Sequence, residues 1–331
     1  MRCAFFLVLA CACMAEEPGF RSPVSAVVVD AQSATLHLVQ GLPGGAVLGA
    51  SVSLPFTPAT AAMCPTQNLA VVTGADRSVW LARDFGSAAL TVTRLEGAVA
   101  SMVVMAGGCQ AALLYSAGDG TLEFAANLLR EPQLGPMIRL EDPGNKLEKP
   151  VDFQGPRGRA RLPRGATSKP LAVSADGSLG LIAANRQLYL VRNGTGELTL
   201  LPAIDEPVAA AFLPNGRDAA VAHHFRSELL LLLNIAEQAT QLPLLSGHDG
   251  LTGAAALAVS GEETILLLDT DSHTVFKASI TTGALDRIVV PDSADRLDAA
   301  FAPDIFLLNG PGRGTAHLLD LNNGVFFVPA Q

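Results

Sequence analysis

The stretch Pro170–Pro207, PLAVSADGSLGLIAANRQLYLVRNGTGELTLLPAIDEP, sets the pattern for the rest of the chain. It contains four short apolar runs of the length of β-strands, which lie at Leu171–Ser174, Leu179–Ala184, Gln187–Arg192 and Glu197–Leu201. Tight-turn residues that tolerate a positive φ separate these runs, as in Asp176-Gly177, Ala184-Asn185 and Asn193-Gly194. The stretch therefore predicts an antiparallel meander of four strands.

The same pattern recurs along the chain with a period of about 40 residues. Equivalent positions in the first hairpin of each repeat fall at Cys64, Ala106, Ser174, Pro214, Ser260 and Ala302. A four-stranded unit repeated at this spacing is typical of a β-propeller blade. The sequence predicts an all-β propeller of seven four-stranded antiparallel blades, with six or eight blades as alternatives, in one domain from residue 16 to residue 331.

The first repeat differs from the others because it supplies only three strands and lacks an obvious first strand. Propeller rings usually close through one blade that is built from both ends of the chain. We therefore expect the last strand, Gly324–Val328, to pair with this incomplete first blade.

The segment Ser246–Gly283 resembles a WD40-type repeat. It begins with Gly247-His248, turns after its first strand, and closes on Thr282-Gly283. The family's Trp-Asp dipeptide is absent, and Lys277-Ala278 stands in its place, so the hydrogen-bond network of that family is not carried over. The chain is closer to degenerate WD40-like or YVTN-type propellers of exported bacterial proteins. The resemblance implies an interaction scaffold, although a minority of such propellers are enzymes.

Residues 1–15, MRCAFFLVLACACMA, have the features of a secretory signal peptide. Arg2 precedes a short apolar core, and Cys13-Met14-Ala15 offers a small-residue cleavage site. A lipoprotein signal that leaves Cys11 lipidated, or an uncleaved end, are the alternatives. We expect an exported protein, periplasmic or extracellular, with membrane contact only through a lipidated Cys11.

The long interval between the third and fourth repeats contains an insert, residues 141–169, which is rich in Pro and Gly and has no apolar periodicity. Basic side chains are concentrated in it, at Lys146, Lys149, Arg157, Arg159, Arg161, Arg164 and Lys169. The whole chain carries a net charge of −9, which argues against nucleic-acid binding. The local positive charge would attract an anionic partner, or else it folds back on the protein's own acidic surface.

Two cysteines lie outside the leader, at Cys64 and Cys109, near the first hairpins of neighbouring blades. An oxidising compartment would allow a disulfide between them, and two buried free thiols are the alternative. His37, His273 and His317 occupy third strands of three blades, where they are interpreted as strand-surface residues. We predict no metal site, no cofactor and no catalytic residue.

The composition and the repeats together favour an exported, monomeric, non-catalytic scaffold that binds a protein or polymer partner. The alternative is a propeller-type hydrolase, similar to a lactonase, with its site in the axial channel. Such an enzyme needs acidic, His or Asn side chains that converge from several blades, whereas the first strands of this chain are small and aliphatic.

Overall fold

Seven antiparallel sheets follow one another around a central axis in this computed structural model. The structure describes residues 23–30, 33–87, 89–140, 168–223, 226–309 and 315–329, without the side chains at 202 and 203. The predicted all-β propeller of seven blades is confirmed. Within the described ranges, no helix has the length and apolar character that crossing a bilayer requires.

The first four blades contain sixteen strands, numbered in chain order. Blade 1 has β1 (Val24–Asp30), β2 (Thr35–Gln40) and β3 (Val47–Val52), and blade 2 has β4 (Pro58–Met63), β5 (Leu69–Gly74), β6 (Ser78–Arg83) and β7 (Thr91–Val99). Blade 3 has β8 (Met102–Met105), β9 (Ala111–Ser116), β10 (Thr121–Ala126) and a divided outer strand, β11 (Gln133–Leu134) and β12 (Ile138–Arg139). Blade 4 has β13 (Ser168–Val173), β14 (Leu179–Ala184), β15 (Gln187–Arg192) and β16 (Leu198–Asp205).

The remaining three blades have four strands each. Blade 5 has β17 (Pro207–Phe212), β18 (Ala219–His223), β19 (Glu228–Leu233) and β20 (Thr240–Leu245), and a short 3-10 turn, Gly247–Asp249, leads to blade 6. Blade 6 has β21 (Ala254–Ser260), β22 (Thr264–Asp269), β23 (Thr274–Ser279) and β24 (Leu285–Val289). Blade 7 has β25 (Asp298–Ala299), β26 (Ile305–Leu307), β27 (Ala316–Asp320) and β28 (Gly324–Val328).

Blade 4 shows how the local sequence produces these sheets. The bounds of β14 and β15 are those predicted from their apolar runs. The turn between them is Asn185-Arg186, one residue later than expected, with φ of 49° and 66°. Two successive positive φ values match the twist of the flanking strands, which is why such turns are preferred in two-residue hairpins.

The hydrophobic core consists of apolar layers between successive blades. Phe124 of blade 3 is fully buried against the facing residues of blade 4, and Phe276 fills the corresponding layer between blades 5 and 6. Because each strand alternates its side chains between two such layers, the middle strands are buried on both sides. Stability therefore depends on every blade contacting both neighbours.

The ring closes differently from the expectation. The strand β28 pairs with β27 as the outer strand of blade 7, so the predicted mixed blade is wrong. Blade 1 lacks an inner strand among the described residues, and its β1 edge contacts the neighbouring blades instead. The Val27 N–H donates to Met63 Sδ at 3.2 Å, and the Phe301 N–H donates to the Ser25 carbonyl at 2.7 Å.

The antiparallel order assigns every connection to one of two faces. In blades 2 to 7, the turns after the first and third strands lie on one face, which we call the disulfide face. The turns after the second strand and the connections to the next blade lie on the other, which we call the insert face, because the chain between Leu140 and Ser168 belongs to such a connection.

Candidate functional site

Both ends of the insert are attached to one hairpin of blade 3. The Leu140 N–H donates to the Gly120 carbonyl at 2.8 Å. The Ser168 hydroxyl is 2.6 Å from the hydroxyl of Tyr115. Since Tyr115 is the penultimate residue of β9 and Gly120 precedes β10, the chain leaves and re-enters the ring beside the same turn. The two described residues that flank positions 141–167 therefore lie beside the same turn on the insert face.

An ion pair lies in that same turn and joins it to blade 2. Arg77 Nη1 is 2.8 Å from Asp119 Oδ2, and the Ser116 hydroxyl donates to the same oxygen at 2.8 Å. The hydrogen bond from Ser116 and the charge of Arg77 hold the pKa of Asp119 below its ordinary value. Asp119 thus remains an anion at the base of the basic insert.

The structure describes one of the seven basic residues predicted to bind an anionic partner. Lys169 is exposed on β13, where Ser168 and Lys169 already belong to the sheet rather than to a loop. The other six lie outside the described residues, at Lys146, Lys149, Arg157, Arg159, Arg161 and Arg164. Arg139, at the other end of the insert, is also exposed. A basic residue therefore flanks the insert on each side.

The inner strands that surround the axis carry mostly small aliphatic side chains, for example MVVM in β8, PVAAAF in β17 and AAALAVS in β21. Their charged residues, within the described part of the chain, are Lys169 and Asp298. Desolvation raises the pKa of Asp298 against the opposing charge of Arg296, although 46% of its side-chain surface is accessible. The Asp298 carboxyl on the inner strand β25 is therefore in contact with both water and the surrounding protein.

The described histidines His37 and His223 make their contacts in different blades. His37 contacts the Thr35 hydroxyl at 2.9 Å and the Gly49 carbonyl at 3.1 Å. His223 is fully buried, with Nδ1 2.7 Å from the Asp205 carbonyl. His224 lies outside the described residues. Over the ranges that the structure covers, no group of three His, Cys, Asp or Glu side chains could hold a metal ion.

Cys64 and Cys109 form a disulfide with Sγ atoms 2.03 Å apart. It joins the first turns of blades 2 and 3 across 45 residues of sequence, and both cysteines are fully buried. The Thr66 hydroxyl lies 3.3 Å from the Cys109 sulfur. The bridge therefore adds a covalent link to the apolar contacts and the Arg77–Asp119 ion pair that join these two blades.

Sequence reasoning did not single out one buried carboxylate, Asp269, as structurally important. It ends β22 on the insert face, is fully buried, and accepts hydrogen bonds from the backbone N–H groups of Thr252, Gly253, Asp271 and Ser272 at 2.6 to 3.0 Å. The only signal in the sequence was its place just before a turn, which many exposed aspartates share.

Comparison with known proteins identifies the fold. The sequence matches no protein-family model and no curated protein sequence. A functionally unknown protein from Desulfotomaculum acetoxidans DSM 771 superposes with a TM-score of 0.58 at 12% identity, over 93% of this chain and 100% of that one. The β-propeller domain of Cps50 (Swd1) from Myceliophteria thermophila superposes with a TM-score of 0.54 at 10% identity, over 90% of this chain and 96% of that one.

A third solved structure, virginiamycin B lyase from Staphylococcus aureus, gives a TM-score of 0.52 at 9% identity, over 83% of this chain and 84% of that one. At such identities the likeness shows the fold alone. These neighbours are consistent with a degenerate WD40-like β-propeller. They include a lyase and a propeller domain without a stated reaction, so they do not separate binding from catalysis.

Proposed function

We propose that this seven-bladed β-propeller is an exported, non-catalytic scaffold that holds an anionic protein or polymer against its insert face. The observation that carries the proposal is the attachment of both insert ends to the β9–β10 hairpin. A partner attracted by the insert would be held beside this hairpin and the mouth of the channel. The rigid ring then supplies a fixed surface, and the insert supplies charge.

Electrostatics support this role. Residues 141–169 contain seven basic and four acidic residues, whereas the whole chain has a net charge of −9. A local positive region attracts anions, whereas the acidic remainder of the protein repels them. An anionic partner therefore associates in a preferred orientation. The arginines Arg157, Arg159 and Arg161 alternate with other residues, so an extended segment would present them on one side.

The proposed exported location is supported by two independent features. The leader, residues 1–15, has the composition of a signal peptide. The Cys64–Cys109 disulfide is a bond that persists in oxidising compartments and is rare in reducing ones. Lipid attachment at Cys11 would in addition tether the propeller to a membrane surface.

Replacing Arg157, Arg159 and Arg161 together by glutamine is expected to weaken binding to heparin, used as a defined polyanion, about tenfold at low salt, because three positive charges are removed and attraction to a polyanion is strongest at low salt. The matched control replaces Arg94, Arg130 and Arg226, which are exposed on the ring itself. The measurement is heparin affinity by fluorescence titration at two salt concentrations.

The natural partner is sought by crosslinking in the native envelope, with intact protein beside a form that lacks residues 141–167. Capture that disappears with the deletion supports the insert as the binding site. Two results would contradict the insert as the binding site. One is a loss of heparin affinity in the control triple variant equal to that in the insert triple variant, and the other is unchanged partner capture after the deletion.

A further inference from the structure

A groove opens between blades 4 and 5 on the disulfide face, away from the insert. It has a volume of about 490 Å³ and is bounded by the turns that follow the first and third strands of both blades. Sites that bind small molecules or short peptide segments usually have volumes of roughly 300 to 1,000 Å³. The groove is thus large enough for a few residues of an extended chain.

The base of the groove is apolar and belongs to the ring. Leu179, at the start of β14, is buried below it, and Ala175 and Ala236 contribute half-buried methyl groups from the two blades. Pro214 provides an exposed apolar wall on the blade 5 side. A ligand with small apolar groups can therefore displace water from this surface.

Two arginines face the groove from opposite sides. Arg192 ends β15, and its Nη2 donates to the Ala236 carbonyl of the next blade, which holds the guanidinium across the junction. Arg217 is exposed in the first turn of blade 5. Its neighbour Asp218 accepts hydrogen bonds from Asn215 Nδ2 at 2.7 Å and from the Asn234 N–H at 2.8 Å, so that carboxylate is engaged within its own blade.

One carboxylate, Asp176, also borders the groove and leaves its lining with a net charge of +1. Partial burial opposes its ionisation, but hydrogen bonds from Ser174 and Ser178 outweigh that effect and lower the pKa of Asp176. Its Oδ1 accepts from the hydroxyls of both serines and from the Ser178 N–H, at 2.7 to 3.0 Å. Asp176 is therefore held by its own turn, and none of the described ion pairs joins it to Arg192 or Arg217.

We propose that this groove binds an acidic peptide segment, with a side-chain carboxylate between Arg192 and Arg217 and small apolar neighbours on the base. The planar guanidinium group matches a carboxylate with two parallel hydrogen bonds, which gives both strength and direction. The amide groups of Asn193 and Asn215 are engaged within their own blades, by the Gly177 carbonyl and by Asp218, so the two guanidinium groups supply the specific contacts. The site lies on the face opposite the insert, so the propeller has two separate binding surfaces.

The test uses the full chain and a dye-labelled, end-blocked hexapeptide of alternating glutamate and alanine, with its glutamine counterpart as the uncharged probe. The acidic peptide is expected to bind at least tenfold more tightly than the glutamine peptide. Arg217→Gln and Arg192→Gln are each expected to weaken the acidic peptide about tenfold, the effect of losing one charged hydrogen-bonding partner. Arg130→Gln, an exposed arginine on the same face in blade 3, is the matched control and should change the affinity less than twofold.

Two further measurements locate the site. Hydrogen exchange with the acidic peptide bound should slow in residues 175–179 and 213–218, and Arg217→Lys should retain an intermediate affinity because charge remains while the paired hydrogen bonds are lost. A form without residues 141–167 should bind the peptide unchanged. Equal affinity for the two peptides, equal weakening by Arg130→Gln, or loss of binding with the insert would overturn the proposal.

Discussion

Replacing Cys64 and Cys109 together by alanine is expected to lower the free energy of unfolding by about 4 kcal/mol. The bridge spans 45 residues, and a cross-link over a loop of that length removes much of the freedom of the unfolded chain. Both sulfurs are fully buried between the first turns of blades 2 and 3. Their loss therefore also removes close packing at this junction.

Urea unfolding, followed by the fluorescence of Trp80, measures this effect. Trp80 is the only tryptophan of the chain and lies in blade 2, stacked on Phe56 with ring centroids 4.5 Å apart. A reducing agent should shift the midpoint of the wild type towards that of the double variant and leave the variant unchanged. A shift of less than about 1 kcal/mol on replacing both cysteines would show that the bridge does not stabilise the ring.

The repeat could be read from the sequence because its signals are local. Short apolar runs separated by turn residues such as Gly and Asn define β14 and β15, and their bounds agree with the structure. The division of the outer strand of blade 3 into β11 and β12 could not be predicted from local signals. Gly135 and Pro136 interrupt it, and β11 and β12 pair with opposite ends of β10. Short pairings of this kind depend on tertiary contacts rather than on propensity.

The positions of the two candidate binding surfaces could not be predicted from the periodic pattern of the sequence. The sequence identified the basic insert, but the face on which its flanking residues lie follows from the contacts of Leu140 and Ser168 with blade 3. The groove arginines were not predicted at all. Arg192 and Arg217 are 25 positions apart in sequence and come together only because the third-strand end of one blade lies beside the first turn of the next.

Ring closure failed as a prediction for a related reason. The sequence indicates that blade 1 has three strands, but not what contacts the edge that is left without an inner strand. In the structure, Met63 Sδ accepts a hydrogen bond from the Val27 N–H of that edge, and the Phe301 N–H donates one to its Ser25 carbonyl. A thioether and a turn can thus replace part of a strand, and no strand-like pattern in the sequence signals such contacts.

Asp269→Ala is expected to destabilise the protein by about 2–3 kcal/mol, because it leaves four backbone N–H groups, one of them that of the buried Gly253, without the acceptor that joins them. The carboxylate of Asp269 joins the end of β22 to the connection at Thr252 and Gly253, where blade 5 leads into blade 6. Asp269→Asn should cost less, since one oxygen remains to accept hydrogen bonds. The matched control is Asp271→Asn, which alters an exposed carboxylate in the same turn and should change stability by less than about 0.5 kcal/mol.

The pH dependence of the unfolding free energy tests whether the charge of the Asp269 carboxylate, rather than its packing, stabilises this junction. Burial opposes ionisation of Asp269, but the hydrogen bonds from Thr252, Ser272 and Gly253 outweigh it and lower its pKa. A carboxyl whose pKa is lower in the folded state contributes stability above its unfolded pKa of about 3.9 and loses that contribution as the pH falls through the folded value. The difference in unfolding free energy between the wild type and Asp269→Asn should therefore be constant from pH 5 to pH 7, as tested by urea titration at each pH.

This difference in unfolding free energy should narrow below about pH 4, because protonation of Asp269 in the wild type removes the charge that the asparagine lacks. A difference that stays constant down to pH 2 would show that the ionised carboxylate does not stabilise this junction.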